Sequence, residues 1–363
     1  MQFPTEVSMN RYNPRDLAAL AAALLECSGM PEDRAIEVAD ILLEADMMGH
    51  DTHGLQLLPA YLDELAAGRM RATGNYEIVS DRGAVAVWDG LWLSGVWLTL
   101  RGLEFAAQRA EQFGLGAVAI RRSHHIACLQ AYLPRMTDRG LVPMITSSDP
   151  SLASVAPFGG LDPVFTPDPI ALGIPTKADP ILIDMSTSIT TNAMTGRLAK
   201  AGQRMRGQWL QDHEGNLTDD PGVLTREPKG TLLPSGGQDH GHKGYNMALM
   251  VECLSQGLAG YGRGIAETQW GATTYIQVFS PEFFAGADAF TDRSSAIAAQ
   301  CLASRAHPDA GAVRLPGQKG LERRRDAEDQ GLLLPSMFVQ GLVQRASDLG
   351  ARVPQGLGGR NPG

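Results

Sequence analysis

The sequence predicts an α+β protein in which a helical N-terminal unit adjoins a central mixed domain of sheet and helices. Three observations predict this. Apolar residues recur at helical spacing through the first part of the chain, and short β-branched runs then take over. Strands and helices follow in irregular order with few strand–helix–strand units, which argues against a doubly wound parallel sheet. The one GxGxxA run, Gly114 to Ala119, follows a predicted helix and leads into a predicted strand. A dinucleotide loop needs the reverse order, so that a pyrophosphate meets a helix N-terminus. The expected units are a helical segment 1–72 packed with a C-terminal helix 331–352, a central α+β domain 73–330 and a flexible tail 353–363.

The elements read as follows. Asn13-Pro14 places a cap before proline at a first helical position, and the Ala/Leu run to Cys27 stops at Gly29. Pro31 opens a second helix, with Ile36, Ala39, Ile41, Leu42 and Ala45 largely on one face, closed by Gly49. A third covers Leu57 to Ala67. Ile78-Val79 and Ala84 to Trp88 flank Asp81-Arg82-Gly83 as a hairpin. Leu98 to Phe113 is helical; 117–120, 143–146 and 181–183 are short buried strands; the Gly/Pro-dense stretch 150–180 is mostly loop and turn. A helix over Met247 to Leu258, a strand over Thr273 to Phe279, and helices over Ser294 to Arg305 and Leu334 to Leu349 complete the chain.

Composition excludes several functions. With 31 basic and 40 acidic residues the formal charge is −9, which repels a phosphate backbone and disfavours nucleic acid as a partner. Cys27, Cys128, Cys253 and Cys301 form no CxxC pair and read as reduced thiols. The stretch Met1 to Arg15 has no apolar signal region, and no run approaches a membrane span, so a cytoplasmic protein with no membrane partner is expected.

The eight histidines include three tight pairs: His50 with His53, His124 with His125, and His240 with His242. Glycines bracket the first pair at a helix end, which leaves the imidazoles on a tight polar turn. Carbonyl reduction needs such a group, a proton donor with a pKa near neutrality beside an oxygen that gains negative charge. Thr52 could fix its tautomer. The same histidines could instead cap helices. A zinc site from His50, His53 and His240 or His242, completed by Asp51 or Asp239, is the competing reading. HxxH spacing alone carries little weight, and no metal is assigned. Lys243, before an apolar helix, is either a phosphate partner or a solvated lysine.

Six ordered segments resemble the malate/L-lactate dehydrogenase type 2 family. They are GHDTHGLQLLPAYLDELAAGRM, RRSHHIACLQAY, MITSSDP with VAPFGGLDPVFTPDPIALGIP, LIDMSTS, the HKGYNMALMV stretch and RLPGQ. The resemblance spans roughly residues 10–350. It implies NAD or NADP as cofactor, a non-Rossmann fold, a homodimer, and a small 2-oxo or 2-hydroxy acid as substrate. It implies His53 as proton donor and acceptor, helped by Thr52 and Asp184. His125 would lie beside nicotinamide or substrate and Thr146 near substrate. Ser148, Ile183, Asp184, Met185, Lys243, Pro316 and Gly317 would bind or shape the cofactor site.

The chain departs from the family pattern at Leu57, where the family has arginine, and at Ala127 and Gln130, where it has glycine. Pro167-Asp168-Pro169 replaces T-N-P, and Gln318 replaces the glutamate of P-G-E. Arg122, flanking His124-His125, is the expected substitute for the missing arginine, with Arg69 farther away. An atypical substrate is therefore expected. The alternatives are a cyclic imine carboxylate reductase, a cofactor-binding homologue with little catalysis, and a zinc hydrolase.

Overall fold

The computed structural model describes residues 8–265, 268–309 and 311–357. The tail beyond 357 and residues 1–7, which the expected domain limits include, lie outside them. The chain opens with β1 (Met9–Tyr12), α1 (Pro14–Cys27), α2 (Glu32–Met47) and α3 (Leu58–Ala66). Asn13 caps α1 by accepting Arg15 N, and Pro14 takes its first position, as the sequence predicts. Between α2 and α3 the chain makes two 3₁₀ turns, Asp51–His53 and Leu55–Leu57, so the His50–His53 pair sits on a compact corner.

The middle of the chain supplies β2 (Glu77–Arg82), β3 (Val85–Asp89), α4 (Gly95–Phe113), β4 (Leu115–Ser123), α5 (Pro134–Thr137), β5 (Val142–Ser148), β6 (Ile170–Ile174) and β7 (Ile181–Met185). After α6 (Asn192–Lys200) come three short strands, β8 (Leu210–Gln211), β9 (Leu217–Thr218) and β10 (Thr231–Leu232), then α7 (Gly237–His240) and α8 (His242–Glu252). The last elements are β11 (Ala272–Phe279), α9 (Ala287–Leu302), α10 (Gln318–Gln330), β12 (Leu332–Pro335) and α11 (Ser336–Leu349).

Seven strands form the central sheet in the order β2-β3-β4-β11-β5-β6-β7. Only β3–β4 is parallel, with α4 as its crossover. Gly114 closes α4 in a left-handed conformation and β4 follows at once, so Gly114 to Ala119 is a helix stop and a buried strand, not a pyrophosphate loop. One large apolar core runs from Leu17, Leu24 and Ile41 through α4 to Ile145 and Ile276 of the sheet. A smaller core around Phe165, Leu210 and Leu232 supports the β8–β10 region. Leu342 and Ala346 of α11 join the large core, and Val353 and Leu357 of the tail rest against it. No helix among the described residues is long and apolar enough to cross a membrane.

Several elements differ from expectation. The Gly/Pro-dense stretch 150–180 contains β6, whose short alternating run was masked by its flanking turn residues. Leu334 belongs to β12, which pairs with β1, so the last helix starts at Ser336. Helix α9 begins at Ala287, ahead of the expected Ser294. Helix α10, QKGLERRRDAEDQ, was unforeseen because only Gly320, Leu321 and Ala327 are buried, too few to mark an apolar stripe.

Candidate active site

The His50–His53 corner is held by a carboxyl group. Asp46, in the last turn of α2, is buried, and one of its oxygens accepts Leu55 N–H at 2.7 Å. Gly54 is obligatory here because an added Cβ would lie 2.3 Å from the Asp46 carboxyl carbon. Burial pushes the Asp46 pKa up to about 7 against the pull of the Leu55 bond, and the charge on Asp51 adds to the rise. A folded-state pKa above the ordinary aspartate value of 3.8 means that folding favours the protonated form. This contribution is fully present below about pH 4 and is lost as pH rises through about 7. Asp46→Asn, which cannot ionise, should flatten this slope. The check is the urea midpoint of wild type and variant from pH 4.5 to 8; a constant offset across that range would refute it.

His53 and His125 stack with ring centroids 6.0 Å apart. Thr52 Oγ1 lies 2.9 Å from His53 Nδ1. His125 Nδ1 accepts Ala127 N–H at 3.3 Å and lies 2.9 Å from the Tyr61 hydroxyl. A nitrogen that accepts an N–H carries no proton, so the neutral His125 bears its hydrogen on Nε2. Burial lowers the pKa of both rings, His125 well below the usual value and further through the charges of His53 and His124. His53 is lowered by burial and then by His50. Of this pair His53 takes a proton first, and His125 stays a neutral hydrogen-bond donor. Trp270 packs 4.9 Å from both His124 and His125. Gly95, at the start of α4, lets that helix press against the His124-His125 backbone, since a Cβ there would lie 1.9 Å from the His124 carbonyl oxygen.

A second network joins this corner to β7. Gln130 Nε2–H donates to Leu182 O at 3.0 Å, which leaves its Oε1 to accept His50 Nε2–H at 2.8 Å. The Gln130 backbone N–H donates to Asp184 Oδ2 at 2.9 Å. Burial raises the Asp184 pKa, and His50 and the Gln130 bond oppose that rise. Cys128 Sγ lies 3.7 Å from the same carboxylate, and burial pushes its thiol well up. Ligand atoms of His50, Cys128 and Asp184 gather within 4.8 Å of one another. The zinc set considered from the sequence is not what comes together: His240 faces His242, which lies against Phe158, and Asp51 pairs with Arg197.

The sheet register divides the remaining expected residues. Residues directly opposite in a ladder share a face, and neighbours along a strand alternate. Ile145, Ala171 and Asp184 form one cross-strand row, and Thr146, Ile170 and Met185 form the next. Asp184 with Leu182 thus faces the helical side, whereas Thr146, Ser148, Ile183 and Met185 lie on the opposite face. Ser148 there donates to Glu252 at 2.8 Å and accepts from Gln256. Buried Thr146 has no partner for its hydroxyl among the described residues. Lys243 is exposed in the first turn of α8, and Gly244 beside it packs on Thr187 O and Ser235.

Pro316 and Gly317 rejoin the helical side. Pro316 O accepts Leu182 N–H at 3.0 Å. Gly317 has φ of +84°, and a Cβ there would lie 2.6 Å from Leu182 Cβ, so this turn fits only as glycine. Leu57 ends the second 3₁₀ turn and packs, half-buried, against the large core. Arg122 does not stand free beside His124. Its guanidinium donates to the buried Asp89 at 2.7 Å, shared with Arg121 at 2.9 Å. Burial pushes the Asp89 pKa up, but the bonds from Arg122, Leu91 N and Arg121 outweigh it and hold the carboxylate below its usual range. Arg69 is paired with Glu64 at 2.7 Å. Asp46, Tyr61 and Trp270 were missed as site residues because nothing local marks them. Gln130 was legible only as a departure from a glycine.

This arrangement matches known proteins along almost its whole length. The profile of a family described as malate/L-lactate dehydrogenase matches residues 12–343. The chain is 30% identical over 317 residues to a malate dehydrogenase of Pyrococcus horikoshii, covering 85% of this chain and 87% of that one. It is 32% identical over 339 residues to a (2R)-3-sulfolactate dehydrogenase (NADP(+)) of Chromohalobacter salexigens, covering 90% and 96%. The solved structure of the Pyrococcus horikoshii OT3 malate dehydrogenase superimposes with a TM-score of 0.85 at 26% identity, covering 98% of this chain and 99% of that one.

Proposed function

Because this chain belongs to the malate/L-lactate dehydrogenase family and is an oxidoreductase, we propose that it moves a hydride between a nicotinamide dinucleotide and a small 2-oxo or 2-hydroxy acid, with His53 as the proton donor and acceptor. The observation that carries this reading is the His53–His125 pair, whose Nδ1 atoms are engaged by Thr52, Tyr61 and Ala127 N and whose order of protonation is set by burial. His53 Nε2 has no protein partner among the described residues and is left for a substrate oxygen. His125 Nε2–H can polarise the same carbonyl without adding a charge. Asp184, reached through His50 and Gln130, orients the corner.

The dinucleotide fits the residues present. The Pro316-Gly317 turn packs closely on Leu182 of the strand that carries Asp184, and it borders an open cleft shared with His50 and Gln130. A dinucleotide bound along this side would supply or accept the hydride at its nicotinamide. Ile183, Met185, Ser148 and Lys243 belong to the same proposal as cofactor residues, and Thr146 as a substrate contact. A homodimer completes it.

The test is NADH and NADPH fluorescence on titration with protein, followed by turnover on a panel of oxo acids and cyclic imines. Reduction consumes a proton held on His53, whose pKa is lowered by burial and by His50. Reduction should therefore slow as pH rises through a value below that of an ordinary imidazole, and oxidation of the hydroxy acid should rise over the same interval. A pH-independent rate in both directions would remove His53 from the proton transfer. A cyclic imine is the second reading, favoured by Leu57, since an arginine at that corner would repel a protonated C=N group. Activity on imines alone would select it.

A further inference from the structure

The cleft between the start of α10 and the His50 turn has a volume of about 510 Å³. Its lining includes His50, Gln130, Gly317, Arg314, Lys319 and Arg323 and no aspartate or glutamate. We propose that this cleft receives the 2′-phosphate of NADP(H), so that the protein prefers NADP(H) to NAD(H). This inference rests on the oxidoreductase reading above and deepens it.

Charge is the first argument. The chain carries more acidic than basic groups, 40 against 31, yet Arg314, Lys319 and Arg323 have no carboxylate partner among the described residues. Their neighbours on the same helix do: Arg324 pairs with Glu44 at 3.2 Å and Glu328 at 3.0 Å, and Arg325 with Asp179 at 3.0 Å. Lys319 and Arg323 are four residues apart in α10 and so lie on one face. Like charges at that spacing repel unless an anion sits between them.

Geometry is the second. Arg323 lies flat on the His50 turn: a Cβ on Gly49 would come within 2.1 Å of its Nη1, and Gly49 has φ of +87°. This position is open to an arginine because residue 49 is glycine. The first turn of α10, a helix of 13 residues capped by Gly317, adds its positive end to the same space.

The third argument separates a 2′-phosphate from a 2′-hydroxyl. A ribose diol is held by a carboxylate acceptor, and a 2′-phosphate by arginine. The cleft offers cations and no carboxylate. A terminal phosphate carries close to two charges at neutral pH, and pairs of charged hydrogen bonds from arginine suit it.

The experiment measures dissociation constants of NADPH, NADH, adenosine 2′,5′-bisphosphate and 5′-AMP by calorimetry, at low and high salt. We expect NADPH to bind at least about tenfold more tightly than NADH, adenosine 2′,5′-bisphosphate more tightly than 5′-AMP, and both preferences to shrink with salt. Arg314→Ala and the double variant Lys319→Ala/Arg323→Ala should bring NADPH down to the affinity of NADH. Arg323→Lys, which keeps the charge, should retain most of the preference. Equal or tighter binding of NADH, or an unchanged preference in the alanine variants, would overturn the proposal while leaving the oxidoreductase reading intact. Failure of both dinucleotides to bind would overturn that reading and this proposal together.

Discussion

His53→Ala should lower turnover by about 100- to 10,000-fold, the usual loss when a positioned general acid is removed. NAD(P)H affinity should change little, because the nicotinamide's phosphates and ribose are assigned to other residues. The loss should fall on the rate constant more than on the Michaelis constant, since His53 acts most strongly on the oxygen as charge develops there. Thr52→Val offers a graded control. It leaves the imidazole but removes the hydroxyl 2.9 Å from Nδ1, so the ring loses its fixed orientation. Its loss should be smaller than that of His53→Ala. Rates and circular dichroism of both variants, measured together, separate chemistry from folding. Near wild-type turnover in folded His53→Ala would move the proton to His50 or His125.

Leu57→Arg should raise kcat/KM for oxaloacetate by roughly 10- to 100-fold, the equivalent of about 1.5–3 kcal/mol for hydrogen bonds to a charged group. The wild-type corner carries leucine, half-buried against the core, one turn after His53. A substrate carboxylate against it would lose water without gaining a partner. The arginines that could rescue such a group are engaged, Arg122 with Asp89 and Arg69 with Glu64. The wild-type substrate is therefore expected to be larger or less acidic at that end than malate or lactate. Pyruvate, oxaloacetate, and bulkier or cyclic oxo and imino acids should be compared side by side on both proteins. Efficient reduction of oxaloacetate or pyruvate by wild type, with no gain in Leu57→Arg, would sink the altered-substrate idea.

Much of this was legible from local order along the chain. The Asn13-Pro14 cap, the glycine stops and the 3.6-residue stripes of α1 and α2 are short-range rules, which act on a few neighbouring residues whatever the rest of the fold does. The non-Rossmann reading was equally local: Gly114 ends a helix, and Leu115 to Ser123 is a strand. The bracketed His50–His53 turn pointed to acid–base chemistry by residue type alone. Strands β6 and β12 and helix α10 were not legible, because their stability comes from partners distant in sequence. Strand β12 exists by pairing with β1, and α10 is anchored by few buried side chains.

The sequence by itself determined which residues can do chemistry here, because imidazole, carboxylate and guanidinium groups keep their types wherever the chain puts them. Only the tertiary structure decided their partners. It stacked His53 on His125, tied His50 to Asp184 through Gln130, and committed Arg122 to Asp89. It also put Thr146 and Asp184 on opposite faces of one sheet. The physical reason is range. Capping and periodicity act over a few residues, whereas burial, pKa displacement and charge pairing depend on atoms brought together from segments distant in sequence, such as Arg122 with Asp89 (33 apart), Gln130 with Leu182 (52 apart) and Arg197 with Asp51 (146 apart).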